Sequence, residues 1–261
     1  MSDKELTDTV VIVTGASRGI GAASARALAA AGAAVVLAAR SEAALSALAE
    51  EIRAAGGRAS AVPTDVTDPA SVRTLVERAV DEYGRLDAAV NNAAGGGHPP
   101  TPLADVEVAD FDSALATSLR GVFLAMKYEI PAMLDAGGGS IVNMASTAGL
   151  EAVGGLAGYV SSKFGLVGLT RTAALDYAER GVRVNAVAPG PIRTEKVEAA
   201  GPRMRERIGA TLPVRRMGLP EEVAAAVVWL CSPASSFVTG ATVPVDGGKL
   251  AGMAPYGNRA T

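Results

Sequence analysis

Short, almost unbroken apolar runs alternate along this chain with longer stretches whose apolar residues recur every three to four positions, and no other feature constrains the fold as much. The extended candidates are VVIVT (10–14), AVVLAA (34–39), RASAVP (58–63), LDAAVNN (86–92), GSIVNMAS (139–146), VRVNAVA (182–188) and TVPVD (242–246). Helical periodicity covers 19–31, 42–55, 69–83, 105–135, 158–179 and 220–231 between them. A strand that is apolar on both faces must be covered on both, and parallel neighbours need a crossover long enough to hold a helix. The rhythm therefore predicts one α/β domain over 1–261, a doubly wound parallel sheet of seven strands with helices on both faces.

Only 190–216, GPIRTEKVEAAGPRMRERIGATLPVRR, departs from this alternation; it is long, charged and interrupted by Pro and Gly, which marks it as a candidate substrate lid. The chain's 261 residues carry a net charge of −3 with scattered Lys and Arg, which argues against a nucleic-acid partner. Its one cysteine, Cys231, excludes an internal disulfide and reads as a small buried hydrophobe. No apolar run has membrane-spanning length and MSDKELTDTV lacks a secretory pattern, so the expectation is a cytoplasmic protein without a membrane partner. His98 is the one histidine and no Cys or acidic cluster joins it at ligand spacing, so no metal site is expected; a solvated loop residue is the favoured reading.

TGASRGIG (14–21) follows the first strand and opens the first helix. Glycine lets the backbone turn tightly and approach a pyrophosphate, while the helix start offers unpaired N–H groups and a positive dipole. Gly15, Ser17, Arg18, Gly19, Ile20 and Gly21 are the candidate dinucleotide contacts. An acidic residue ending the second strand would bind a ribose 2′-hydroxyl. Here Ala39 stands there, followed by Arg40, and Arg18 can approach the same place, which favours the 2′-phosphate of NADP(H), with NAD(H) as the alternative.

YVSSK sets Tyr159 and Lys163 one turn apart on a helix face. The pair alone does not decide between a lysine stem lying over an aromatic ring, the far commoner case, and a phenol tuned by a cation. Together with TGASRGIG, NNA (91–93), SIVNMASTAG (140–149), VNAVAPGPIRT (184–194) and FVTGATVPVDGG (237–248), however, it resembles the short-chain dehydrogenase/reductase family over nearly the whole chain. The resemblance implies a single Rossmann-type domain of seven parallel strands, assembled as a homotetramer or homodimer. It implies that Tyr159 is the general acid/base, that Lys163 lowers the tyrosine pKa and holds the nicotinamide ribose, and that Ser146 hydrogen-bonds the substrate oxygen. A free phenol titrates at ~10, so a nearby cation is chemically apt for a base at neutral pH. The resemblance further assigns Asp65 and Val66 to adenine, Asn92 to the nicotinamide ribose, and Pro189, Ile192 and Thr194 to the nicotinamide.

Two positions depart from the family pattern. Ala94 replaces a glycine after the fourth strand, with Gly95 expected to absorb the altered turn. Ser118 replaces an asparagine that holds a proton-relay water, and a slower relay is expected. Tyr128, in MKYEIPAM, is expected in the core or an interface. The leading function is an oxidoreductase interconverting a secondary alcohol and a ketone with NADP(H). The alternatives are an NAD-dependent sugar or cyclic-alcohol dehydrogenase, a 3-oxoacyl thioester reductase, and a dinucleotide sensor without turnover. The segments 94–100, 147–156 and 190–216, poor in charge apart from Glu151 and the lid arginines, suggest a small neutral carbonyl or alcohol substrate.

Overall fold

The computed structural model describes residues 5–95, 97–198 and 201–252. The chain runs β1 (Val10–Thr14), α1 (Gly19–Ala30), β2 (Ala34–Ala39), α2 (Glu42–Ala54), β3 (Arg58–Pro63), α3 (Pro69–Tyr83) and β4 (Ala88–Asn91). It continues with α4 (Val108–Leu115), α5 (Gly121–Asp135), β5 (Gly139–Met144), α6 (Ala157–Tyr177), β6 (Val182–Pro189), α7 (Glu195–Glu198), α8 (Pro202–Ala210), α9 (Pro220–Cys231) and β7 (Thr242–Val245). Seven parallel strands form one sheet in the order β3-β2-β1-β4-β5-β6-β7. The order reverses between β1 and β4, and in such a sheet the crevice beyond the carboxyl ends of those two strands is where ligands bind.

Alternation along each strand builds two cores. Val11 and Val13 of β1, Val35 and Leu37 of β2 and Val90 of β4 face α1, α2 and α9, through Leu28, Leu45 and Val227. Ile12, Val36, Ala89 and Ile141 face the other way, onto α3, α5 and α6, through Leu75, Met133 and Leu166. Local chemistry sets the boundaries: α3 starts where the Asp68 carboxylate accepts from the Ala70 and Ser71 amides ahead of Pro69, and stops at Gly84 in the left-handed region. Cys231 is buried in α9, and burial pushes its thiol up to about 12.

One sequence expectation is corrected. The continuous helix over 105–135 is instead a short 3₁₀ turn (Leu103–Asp105), α4, a π turn (Ala116–Arg120) and α5. The π turn adds a residue to the helical path, a local feature that apolar periodicity does not report. The 190–216 segment carries α7 and α8, and a β-bridge joins Ile192 to Gly218 just past its end. Ala199 and Ala200 of that segment lie outside the described residues. Among the described residues no helix is long and apolar enough to cross a membrane.

Candidate active site

The glycine turn lies at the carboxyl end of β1, beside the switch point. Gly15 and Gly19 have φ of 65° and 55°, and a Cβ on Gly21 would lie 2.2 Å from the Gly15 carbonyl oxygen. No side chain fits at Gly21. The Asn92 amide donates to the Thr14 and Gly15 carbonyls, each at 3.1 Å, and the Asn92 and Ala93 N–H groups donate to Thr14 Oγ1 at 3.0 and 3.2 Å. The side chain of Asn92 thus clamps the turn. Ser17 is half-buried, Arg18 is exposed and caps α1 with extended backbone, and Ile20 packs against the core.

Beyond the turn, Arg40 is exposed at the end of β2 and acts on Asp65 at the end of β3. The Thr67 amide and hydroxyl both donate to Asp65 Oδ1, at 2.9 and 2.8 Å, and hold its carboxyl below its ordinary value, with the Arg40 charge adding to them. Val66 packs on Gly121, where an added Cβ would stand 3.1 Å from its Cγ2. From the opposite side the segment after β6 reaches the same turn. Pro189 and Ile192 are buried, Thr194 Cγ2 would lie 3.3 Å from a Cβ on Gly19, and Glu195 Oε1 accepts from the Gly19 amide at 3.2 Å.

Ser146 ends the stretch after β5 and caps a 3₁₀ turn, its Oγ accepting from the Ala148 amide at 3.1 Å. Its hydroxyl also acts on the Tyr159 phenol, lowering its pKa, and that phenol projects from the first turn of α6. Lys163, one turn further on, is buried; its Nζ donates to the Met144 carbonyl at 2.7 Å and stands 5.8 Å from the centre of the Tyr159 ring. The fold therefore brings Ser146, Tyr159 and Lys163 together at the carboxyl end of β5. Burial pushes the phenol above its ordinary value and outweighs the lowering by Ser146, while burial brings Lys163 down to about 8. Desolvation acts against both charged forms at once.

Ser118 is buried in the π turn, and its Oγ donates to the Gly95 carbonyl at 3.5 Å. Ala94 and Gly95 keep negative φ, whereas Gly97 stands in the left-handed region at φ 88°. Gly96 lies outside the described residues. The solvated reading of His98 also needs correcting, because its Nδ1 faces the Pro99 carbonyl at 2.8 Å and its Nε2 is buried. Among the described residues no group of His, Cys, Asp and Glu is placed to hold a metal. Tyr128 packs against the apolar residues of α3 and α5.

Two acidic residues escaped the sequence reading. Glu195 adjoins Thr194, yet nothing local announces that its carboxylate meets the start of α1. Glu129 sits in EIPAM, where helical periodicity alone would have placed it inward with Met126 and Met133; it is fully buried and hydrogen-bonded to Asn91.

A family model described as enoyl-(acyl carrier protein) reductase matches residues 15–249. The chain is 46% identical over 255 residues, 95% of its own length and 98% of the relative's, to the A-factor type gamma-butyrolactone 1'-reductase (1S-forming) of Streptomyces virginiae. It is 45% identical over 244 residues, 94% of its length and 97% of the relative's, to the cis-4-hydroxycyclohexanecarboxylate dehydrogenase of Sinomonas cyclohexanicum. The crystal structure of levodione reductase superposes with a TM-score of 0.91 at 36% identity, covering 95% of this chain and 100% of that one.

Proposed function

The chain belongs to the short-chain dehydrogenase/reductase family, enzymes that act on CH–OH groups with a nicotinamide dinucleotide, and on that premise we propose that it interconverts a secondary alcohol and a neutral, cyclic ketone with NADP(H). The observation that carries the proposal is the convergence of Ser146, Tyr159 and Lys163 beside the glycine turn. The turn itself suits a dinucleotide: a Cβ at Gly21 would fill it, and the Gly19 amide already receives an anionic oxygen from Glu195.

When bound, the dinucleotide supplies the hydride that is exchanged with the carbinol carbon. The protein handles the proton. In the reductive direction the Tyr159 hydroxyl, protonated at neutral pH as a phenol of pKa ~10 is, donates its proton to the carbonyl oxygen as an alkoxide develops. Ser146 Oγ–H donates to the same oxygen. The Lys163 ammonium, buried one turn along the same helix, stabilises the phenolate that remains, since opposite charges attract more strongly away from water. In the oxidative direction the same groups run in reverse. We assign Ser118 and the Gly95 carbonyl, which its hydroxyl meets at 3.5 Å, to the relay that returns a proton to the tyrosine from solvent.

Gly15, Ser17, Arg18, Gly19, Ile20, Gly21, Asn92, Pro189, Ile192 and Thr194 are assigned to the dinucleotide, with Asp65 and Val66 at its adenine. Arg40, exposed and free of a close ion pair among the described residues, is assigned to the 2′-phosphate. The neutral-substrate reading is supported by Glu151, whose carboxylate is ion-paired with Lys249, so the one acidic residue of the 147–156 loop is neutralised. The test follows the absorbance of each reduced cofactor with purified protein and a panel of cyclic ketones, acyclic ketones and 3-oxoacyl thioesters. Turnover of a cyclic ketone with NADPH in preference to NADH is the expected result. Turnover confined to 3-oxoacyl thioesters, or to NADH, would replace the substrate or cofactor assignment.

A further inference from the structure

A polar chain crosses the middle of the sheet, and the catalytic chemistry does not use it. Thr170 Oγ1 on α6 donates to the Leu166 carbonyl at 2.8 Å, and so accepts from Asn143 Nδ2 at 3.0 Å. With that amide fixed, Asn143 Oδ1 accepts from Asn91 Nδ2 at 3.1 Å, and the same nitrogen donates its second proton to Glu129 Oε2 at 3.0 Å. All four residues are buried, none more than 1% exposed. Two oxygens are left over, Glu129 Oε1 and Asn91 Oδ1, both buried and both without a partner among the described residues. They belong to the two side chains already joined by one hydrogen bond, and both are acceptors.

One proton resolves both. An unpaired buried carboxylate is strongly disfavoured, and an unsatisfied buried amide oxygen costs about 1–3 kcal/mol. A protonated carboxyl and a carboxamide, in contrast, pair through two parallel hydrogen bonds, N–H to one oxygen and O–H to the other. We propose that Glu129 is held as a neutral carboxylic acid whose Oε1–H donates to Asn91 Oδ1, a closed clasp that makes it a positioning residue for the end of β4 and, through the adjoining Asn92, for the glycine turn. The coupling to ligand binding rests on the reading of that turn as the dinucleotide site; the protonation state does not.

The surroundings agree. α3, β4, β5 and β6 pack against α5. The charged residues of α3 beyond its first turn (Arg73, Glu77, Arg78, Asp81 and Glu82) are exposed to solvent, and Arg183 of β6 is committed to the Leu230, Ser232 and Val238 carbonyls and Ser235. None of them acts on Glu129: burial raises its carboxyl to about 7, opposed only by the Asn91 hydrogen bond. With a folded pKa of about 7 above an ordinary 4.5, the native state binds the extra proton. The stabilisation is therefore complete below about 4.5 and is lost as pH rises through about 7.

Glu129→Gln tests this, because a glutamine amide keeps both hydrogen bonds and cannot ionise. Thermal unfolding of the parent protein and of E129Q is compared from pH 5 to 9, so that every other titrating group cancels in the difference. The parent should lose thermal stability relative to E129Q as pH rises through about 7. An infrared carboxylic-acid carbonyl band, present in the parent at pH 6 and absent from E129Q, should disappear over the same range. NADP⁺ dissociation constants should weaken at least roughly threefold between pH 6 and 8.5 in the parent relative to E129Q. Parallel stability profiles, or an infrared spectrum without the carboxylic-acid band at pH 6, would overturn the protonated clasp. A difference in stability and infrared profiles with no difference in NADP⁺ binding would overturn the positioning role alone. No NADP⁺ binding by either protein, with the stability difference intact, would instead count against the dinucleotide assignment.

Discussion

Glu195 Oε1 accepts a hydrogen bond from the Gly19 amide at 3.2 Å, so a carboxylate from the segment after β6 rests on the first N–H of α1. That amide points where the helix dipole favours an anion. A dinucleotide pyrophosphate seated on the turn has to displace this side chain or accept its repulsion. Glu195→Gln keeps the volume and removes the charge. It should tighten NADP⁺ binding by roughly two- to fivefold, the equivalent of the ~0.3–1 kcal/mol of a charge at a helix end. Titration calorimetry measures it, and weaker binding in the variant would show that Glu195 supports the ligand.

Tyr159→Phe removes the proton donor and leaves the ring. Turnover should fall by about 10²–10⁴, while NADP⁺ affinity stays within roughly twofold of the parent. The pH dependence adds a second check. Because the phenol is raised, ketone reduction should hold through neutrality; because the oxidative direction needs the phenolate, alcohol oxidation should climb as pH rises. Rate–pH profiles in the two directions that run together rather than oppositely would remove Tyr159 from the acid/base role.

Ser118→Asn lengthens the polar side chain at the π turn, where the serine hydroxyl makes only a long 3.5 Å contact with the Gly95 carbonyl. If proton return limits the rate, turnover should rise by roughly two- to fivefold and its solvent isotope effect should shrink. Unchanged values of both would place the slow step elsewhere, as in product release.

Ala39→Asp combined with Arg40→Leu tests the cofactor preference. A carboxylate at the end of β2 meets a 2′-phosphate with like charge and a 2′-hydroxyl with a good acceptor, and the leucine deletes the exposed guanidinium. The ratio of kcat/KM for NADPH over NADH should fall at least about tenfold, in line with ~1.5–3 kcal/mol for a hydrogen bond to a charged group. A parent that already prefers NADH would show that Arg40 faces solvent only.

The sequence alone determined the architecture. Strands apolar on both faces, separated by helix-length amphipathic stretches, have few ways to bury themselves, so the seven strand positions and the doubly wound sheet could be read from local pattern; β1, β2 and β3 begin and end at the expected residues. Gly15, Gly19 and Gly21 were legible because a tight turn demands residues without a side chain, and Tyr159 and Lys163 because one helical turn separates them. What the tertiary structure decided depends on pairs far apart in the chain. Glu195 meets Gly19, 176 positions away, only because β6 and β1 deliver both to the same end of the sheet. The π turn that buries Ser118 changes a helix by one residue without altering its composition. Burial raises the pKa of Tyr159, and burial is a property of the packed chain that its lysine neighbour does not announce. Glu129 reads as one acid in a helix, and only the superposition of α5, β4, β5 and α6 turns it into the end of a buried hydrogen-bond chain. Local pattern dictates which faces are apolar; it carries no record of which polar atoms those faces bring together in the dry interior, where a single proton decides whether they are satisfied.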